Sequence, residues 1–207
     1  MSDMFRLDGR GVAIVGAGSG IGEAGARACA RQGARVACLD VNAEDAARVA
    51  ASIGEAGRAA HAQQVDIVDA TATHAALDEA RMRLGRLDAV VCTPGINVRK
   101  PILNYKEDEL DRVLRVNVKG TFNVLQAAGR ILTAQQSGSI VLFSSIRSQV
   151  VEPGQAVYAA TKAAIVQMAR TAAAEFAPFG VRVNAVGPGV VETPLTAPIK
   201  ANADWYG

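Results

Sequence analysis

The sequence predicts an α/β fold, a doubly wound parallel sheet with helices on both faces, from three observations. Short runs rich in β-branched residues alternate with longer stretches of helical character along the chain. The runs are apolar throughout instead of alternating with polar residues, as in strands buried on both faces. The first run leads straight into a glycine cluster and then into an Ala-rich helical stretch.

In chain order, strands are expected over residues 11–15, 35–39, 59–65, 89–92, 139–143 and 182–186. Helices are expected over 20–32, 43–55 and 70–84, with a long one over 106–133 and another over 154–176. Right-handed crossovers between parallel strands lead to a doubly wound sheet. With 207 residues, half of them hydrophobic, the chain can bury one sizeable core, so a single domain over 1–207 is expected.

Composition narrows the function. Lys and Arg total 22 against 20 for Asp and Glu, and they are scattered, which speaks against a nucleic-acid or anionic-membrane partner and for a small molecule. The N-terminus has no apolar signal region and no later apolar run is long enough to span a bilayer, so a cytoplasmic protein is expected. Cys29, Cys38 and Cys92 are odd in number and widely spaced in apolar segments, which fits buried free thiols and neither a disulfide framework nor a metal site.

The glycine cluster reads Gly16-Ala17-Gly18-Ser19-Gly20-Ile21-Gly22 between the first strand and the first helix. Glycines permit a tight turn and let backbone N–H groups approach a pyrophosphate, which the positive end of the helix dipole also favours. Asp40 ends the second strand, 18 residues beyond Gly22, where a carboxylate can accept hydrogen bonds from both adenosine ribose hydroxyls. A carboxylate there repels a 2′-phosphate, and the glycine turn holds no Lys or Arg to pair with one, so NAD and not NADP is expected.

Tyr158 and Lys162 stand four residues apart in the last helical stretch and share one helix face. An ammonium beside a phenol stabilises the phenolate, so the Tyr158 pKa is expected to fall toward working pH and Tyr158 to serve as general acid or base. Ser145 ends the fifth strand, thirteen residues before Tyr158, and strand ends carry the sites of this architecture.

Glycine turn, strand-end Ser and Y-x-x-x-K helix together resemble the short-chain dehydrogenase/reductase family, in its shorter form with the G-x-x-x-G-x-G turn, over essentially the whole chain. The resemblance implies a Rossmann fold of strand order 3-2-1-4-5-6 and an oxidoreductase that transfers a hydride between NAD and a secondary alcohol or ketone. On matching positions it implies Tyr158 as proton donor or acceptor, Ser145 as hydrogen-bond partner of the substrate oxygen, and Lys162 as partner of Tyr158 and of the nicotinamide ribose. Asn117 matches the family residue that anchors a water in a proton relay, completing a tetrad. Cofactor contacts are implied for Gly16, Ser19, Gly20, Ile21, Gly22 and Asp40, for Asp66 at the adenine edge with Ile67 next to it, and for Gly95. Pro188, Gly189, Val191 and Thr193 are implied to line the nicotinamide, together with Tyr158 and Lys162.

Three departures from the family pattern stand out. Val15 replaces the usual Thr before the glycine turn. Cys92-Thr93-Pro94-Gly95 replaces Asn-Asn-Ala-Gly, which removes two amide side chains that brace the central sheet and is expected to cost local rigidity more than chemistry. The chain ends at Trp205-Tyr206-Gly207, inside what resembles a substrate lid beginning near residue 190, and the family's seventh strand is absent, leaving the sheet edge beside strand six unprotected.

The family pairs the two long helices between subunits, and here both are Ala- and Val-rich, so a homo-oligomer is expected, a tetramer by family habit or a dimer without the tail. Arg147, Arg99 and Lys100 near the pocket mouth can attract a carboxylate, and the substrate classes implied are sugar acids, polyols and 3-hydroxyacyl compounds. A noncatalytic NAD-binding sensor or scaffold of the same fold is the alternative, against which the intact tetrad counts. A sugar-nucleotide epimerase fits neither the glycine spacing nor the length.

Overall fold

Every strand finds its neighbours in parallel. The computed structural model describes residues 5–194 and 196, so the expected lid beyond 196, with Trp205, Tyr206 and Gly207, lies outside the described residues. The chain runs β1 (Gly11–Val15), α1 (Gly20–Arg31), β2 (Arg35–Asp40), α2 (Ala43–Glu55), β3 (Ala60–Gln64), α3 (Ala70–Leu84) and β4 (Ala89–Cys92). It continues through α4 (Glu107–Leu114), α5 (Thr121–Ala134), β5 (Gly138–Phe143), α6 (Ala156–Phe176) and β6 (Val181–Val186). The sheet order is β3-β2-β1-β4-β5-β6, as expected. Val15 stands level with Leu39 of β2 and with Cys92 of β4, so the chain leaves neighbouring strands β1 and β4 at one height. Strand order reverses between these two strands, and their connections diverge to opposite faces, which opens a crevice above their C-terminal ends.

Alternation along the central strands divides the core into two layers. Val12, Ile14, Val36 and Cys38 pack against Ala26 and Ala30 of α1 and Val49 and Ile53 of α2. Ala13, Val15, Ala37 and Leu39 face the other way, onto Leu77 of α3, Val124 and Leu132 of α5 and Ile165 of α6.

Two expectations need correction. The strands are not apolar throughout: β3 reads AHAQQ with no fully buried residue, and β6 alternates buried Val181 and Val183 with exposed Arg182 and Asn184. Both lie at sheet edges, where cover is incomplete and polar residues are tolerated. The helix expected over 106–133 is also not uniform. A π-helical segment, Arg115–Gly120, joins α4 to α5. Its wider turn carries the fully buried Asn117, whose side-chain hydrogen bonds leave the helix, and π turns of this kind concentrate at functional sites. The segment closes on Gly120, where a Cβ would lie 2.6 Å from the Ile67 side chain.

Cys38 and Cys92 are buried and Cys29 is half-buried, all three as free thiols. Burial pushes the Cys38 thiol up to about 11 and the Cys92 thiol up to about 12. Among the described residues no helix is long and apolar enough to cross a membrane, and no cluster of side chains could hold a metal ion.

Candidate active site

The turn after β1 is built by exclusion. Gly16 adopts φ +82° and Gly20 φ +54°, conformations that favour glycine. A Cβ on Gly22 would lie 1.9 Å from the Gly16 carbonyl oxygen, so only glycine lets α1 start this close to the strand end. Thr93 supplies the bracing whose loss its departure from the family pattern suggested. Its Oγ1 donates toward the carbonyls of Val15 (2.9 Å) and Gly16 (3.2 Å), while its own N–H donates to Val15 O (3.0 Å). A hydroxyl thus ties β4 to the glycine turn where the family pattern has an amide.

Asp40 is fixed at the end of β2 by two backbone donors, Gly18 N at 2.8 Å and Asn42 N at 3.0 Å. Asn42 in turn caps α2, accepting from Glu44 N and Asp45 N. One residue at this turn escaped the sequence reading. Arg48 of α2 donates to Gly18 O at 2.6 Å, so a guanidinium stands beside a glycine turn that contains no basic residue of its own. Its position 30 residues downstream gave no signal; only the packing of α2 on the turn reveals it.

A cavity of about 430 Å³ opens above this crevice. Gly16, Ser19, Gly20, Ile21, Gly22, Asp40, Asp66, Ile67, Gly95 and Thr193 all line it, and Val41, Val65, Val68, Pro94, Ile96 and Val116 add apolar wall. Asp66 also turns the loop after β3, accepting from Val68 N at 2.9 Å. Thr193 reaches back to the start of α1, its Cγ2 standing 3.2 Å from where a Gly20 Cβ would be. Pro188, Gly189 and Val191 are not among the cavity's walls. Pro188 O accepts from Ile146 N at 2.9 Å, which sets this loop beside Ser145 instead. The glycine turn, the helix N-terminus, the apolar walls and the strand-end carboxylate together match what a dinucleotide presents: a pyrophosphate, an adenine and a ribose diol.

Beyond Gly95 lie the side chains expected to do chemistry. Lys162 and Tyr158 share a face of α6, with Lys162 Nζ 5.5 Å from the Tyr158 ring centroid. A Cβ on Gly95 would stand 3.0 Å from that Nζ, so glycine here leaves the ammonium room. Lys162 Nζ donates to Phe143 O (2.9 Å) and Ser144 Oγ donates to Lys162 O (2.7 Å), which stitches the end of β5 to α6 in both directions. Ser145 is buried at that strand end and its Oγ accepts from Arg147 N at 3.1 Å. Asn117 does not touch Lys162 through any of its three side-chain bonds. Its Oδ1 accepts from Ile96 N (2.8 Å), and its Nδ2 donates to Ile96 O (2.9 Å) and Thr161 Oγ1 (3.1 Å). It therefore holds the loop after β4 against α6.

The electrostatics correct one expectation. The Tyr158 pKa is raised, not lowered. Burial is the largest cause, and a hydrogen bond with Ser145 and the charge of Arg147 offset it only partly. Burial also brings Lys162 down to about 8. At the alkaline pH where Tyr158 ionises by itself, Lys162 has already lost its charge and gives no help. The cations near the mouth are also engaged: Arg99 and Arg147 both pair with Glu152, and Lys100 Nζ pairs with Glu109 at 2.6 Å.

Comparison with known proteins agrees with this geometry. The family model described as short chain dehydrogenase matches residues 10–204. The chain is 36% identical to oxidoreductase UcpA of Salmonella typhimurium (strain LT2) over 197 residues, covering 95% of this chain and 74% of that one. A gluconate 5-dehydrogenase from Burkholderia cenocepacia J2315, solved in complex with NADP and tartrate, superposes with TM-score 0.93 at 36% identity, over 98% of this chain and 80% of that chain. An NAD+-bound xylitol dehydrogenase superposes with TM-score 0.85 at 33% identity, over 88% of this chain and 71% of that chain.

Proposed function

The chain belongs to the short-chain dehydrogenase family, and on that premise we propose that it is an NAD-dependent secondary-alcohol dehydrogenase and ketone reductase. The observation that carries the proposal is the chain of contacts that runs from Gly95 in the cavity wall to the Lys162 ammonium, from Lys162 to the Tyr158 ring and from Tyr158 to Ser145. Asp40 supports NAD over NADP, because a fixed carboxylate suits a ribose diol and repels a phosphate.

When bound, the nicotinamide supplies the hydride acceptor for the alcohol carbon, or the hydride donor for the ketone carbon. The side chains handle the proton and the oxygen. In oxidation the Tyr158 oxygen takes the hydroxyl proton; in reduction it returns one to the carbonyl oxygen. Ser145 Oγ donates to that same oxygen, where negative charge develops. At neutral pH Lys162 is mostly protonated, so its charge favours the phenolate form of Tyr158 during transfer. Asn117 is a positioning residue that fixes Ile96 and, through Thr161, the helix turn carrying Tyr158.

Small polyols and sugar acids are the substrates best supported, given the names of the solved relatives, with 3-hydroxyacyl compounds as a further class. Assembly as a homo-oligomer, a tetramer by family habit, is supported by an apolar surface of Leu114, Val118, Phe122 and Met168 flanked by Arg115 and Lys119 on the α4–α5 and α6 side. The test is a panel of such alcohols and ketones with NAD(H), run on wild type and on Tyr158→Phe. A loss of about 100-fold or more is expected in the variant, and full activity in Tyr158→Phe overturns the assignment.

A further inference from the structure

Gly18 sits at the adenosine side of the glycine turn, and both ends of its backbone are claimed by side chains of opposite charge. Its N–H donates to Asp40 Oδ2 at 2.8 Å, and its C=O accepts from Arg48 Nη2 at 2.6 Å. The Arg48 side chain is half exposed, so solvent reaches it. Its guanidinium is held by two carboxylates. Nη1 and Nη2 each lie 3.1 Å from a Glu23 oxygen, and Nη2 lies 3.3 Å from Asp45 Oδ1. Arg27 also pairs with Glu23, at 2.8 Å. Around Gly18, then, three carboxylates (Asp40, Glu23, Asp45) face two guanidiniums (Arg27, Arg48), an excess of one negative charge.

In folds of this kind an acidic residue at the end of the second strand selects a ribose 2′-hydroxyl, whereas an arginine nearby accommodates a 2′-phosphate. This chain carries both within reach of one glycine. We propose that Arg48 is a cofactor-specificity residue, a dormant receptor for a nucleotide 2′-phosphate that Asp40 keeps out and that Glu23 and Asp45 hold ready. The proposal rests on the nicotinamide dinucleotide reading above. A 2′-phosphate carries close to two negative charges and several acceptor oxygens, so it competes with surface carboxylates for a guanidinium that is already oriented toward the turn. What it cannot do is share the site with the Asp40 carboxylate, whose repulsion no residue of the turn offsets. Removing Asp40 therefore does more than delete a ribose partner: it removes the charge that keeps a 2′-phosphate away from Arg48.

The test is calorimetric titration of NADH and NADPH into wild type, Arg48→Met, Asp40→Ser and Asp40→Ser/Arg48→Met. Asp40→Ser is expected to bind NADPH about tenfold more tightly than wild type does, and the double variant to lose that gain. Loss of turn integrity on removing Arg48 would weaken NADH and NADPH alike, so the discriminating quantity is the NADPH/NADH affinity ratio, compared between Asp40→Ser and the double variant. An unchanged ratio overturns the proposal, as does an Asp40→Ser variant that gains nothing for NADPH. A wild type that already prefers NADPH defeats the NAD reading, and in that event a fall of the ratio in Arg48→Met still supports Arg48 as the receptor while no fall overturns it. Binding of neither nucleotide by any variant overturns both readings.

Discussion

Replacing Asn117 by Ala removes an amide that is fully buried and makes three hydrogen bonds, two to the backbone of Ile96 and one to Thr161 Oγ1. Each such bond contributes about 1 kcal/mol net, so a loss of roughly 3 kcal/mol is expected. For a chain of this size about 2–4 °C of melting temperature goes with each kcal/mol, giving a fall of roughly 6–12 °C. Asn117→Asp is the sharper variant, because it keeps the shape and the acceptor for Ile96 N but sets an oxygen against Ile96 O. It should be destabilised too, in spite of being isosteric. Thermal unfolding followed by circular dichroism reads both, with Thr161→Val as the partner in a double-mutant cycle. Melting temperatures for both Asn117 variants within about 1 °C of wild type would refute the idea that this amide holds the loop after β4 to α6.

Two glycines of α1 give opposite predictions from their surroundings. A Cβ on Gly22 would strike the Gly16 carbonyl at 1.9 Å, whereas one on Gly25 meets nothing within 4 Å. Gly22→Ala should abolish dinucleotide binding and lower the melting temperature, while Gly25→Ala should gain up to about 1 kcal/mol from helix propensity; a tolerant Gly22→Ala would mean the turn is not close-packed. For pH dependence, Lys162 titrates at about 8 when folded against 10.5 as an ordinary lysine. Between those values the unfolded chain holds a proton on this lysine that the folded chain has released, so the Lys162 contribution to stability rises with pH over that window, and below about 8 the cost of burying the ammonium is present in full. Urea unfolding between pH 8 and 10 should show wild type gaining stability relative to Lys162→Met as pH rises, since the buried cysteines, which act in the opposite direction from about pH 9, are common to both. Equal slopes would refute it. The range stops at 10 because the raised pKa of Tyr158 adds to the opposing effect of the cysteines above that.

What the sequence made legible was everything set by local pattern. The strands themselves, the glycine turn, Asp40 at its strand end and the shared face of Tyr158 and Lys162 all follow from periodicity and spacing within a few residues, while the strand order came with the family resemblance. What escaped it depends on neighbours far along the chain. Arg48 reaches Gly18 only because α2 packs over the turn, and Thr93 bridges β4 to β1 across 78 positions. The sign of the Tyr158 shift was also beyond reach, because i,i+4 spacing reveals the partner but not the burial that outweighs it. The π turn at Asn117 has no signature in hydrophobic periodicity, since it inserts a residue without interrupting the helix.

The two-way stitch between β5 and α6 bears on kinetics. Ser144 grips the backbone of Lys162 while Lys162 grips the backbone of Phe143, so the strand end that carries Ser145 and the helix turn that carries Tyr158 are one rigid body. Their mutual orientation is settled during folding and does not await a substrate, which removes one entropic burden from each turnover. Substitution of Ser144 should therefore slow the chemical step before it alters ligand exchange rates, because it loosens the groups that meet the substrate oxygen and not the walls of the cavity.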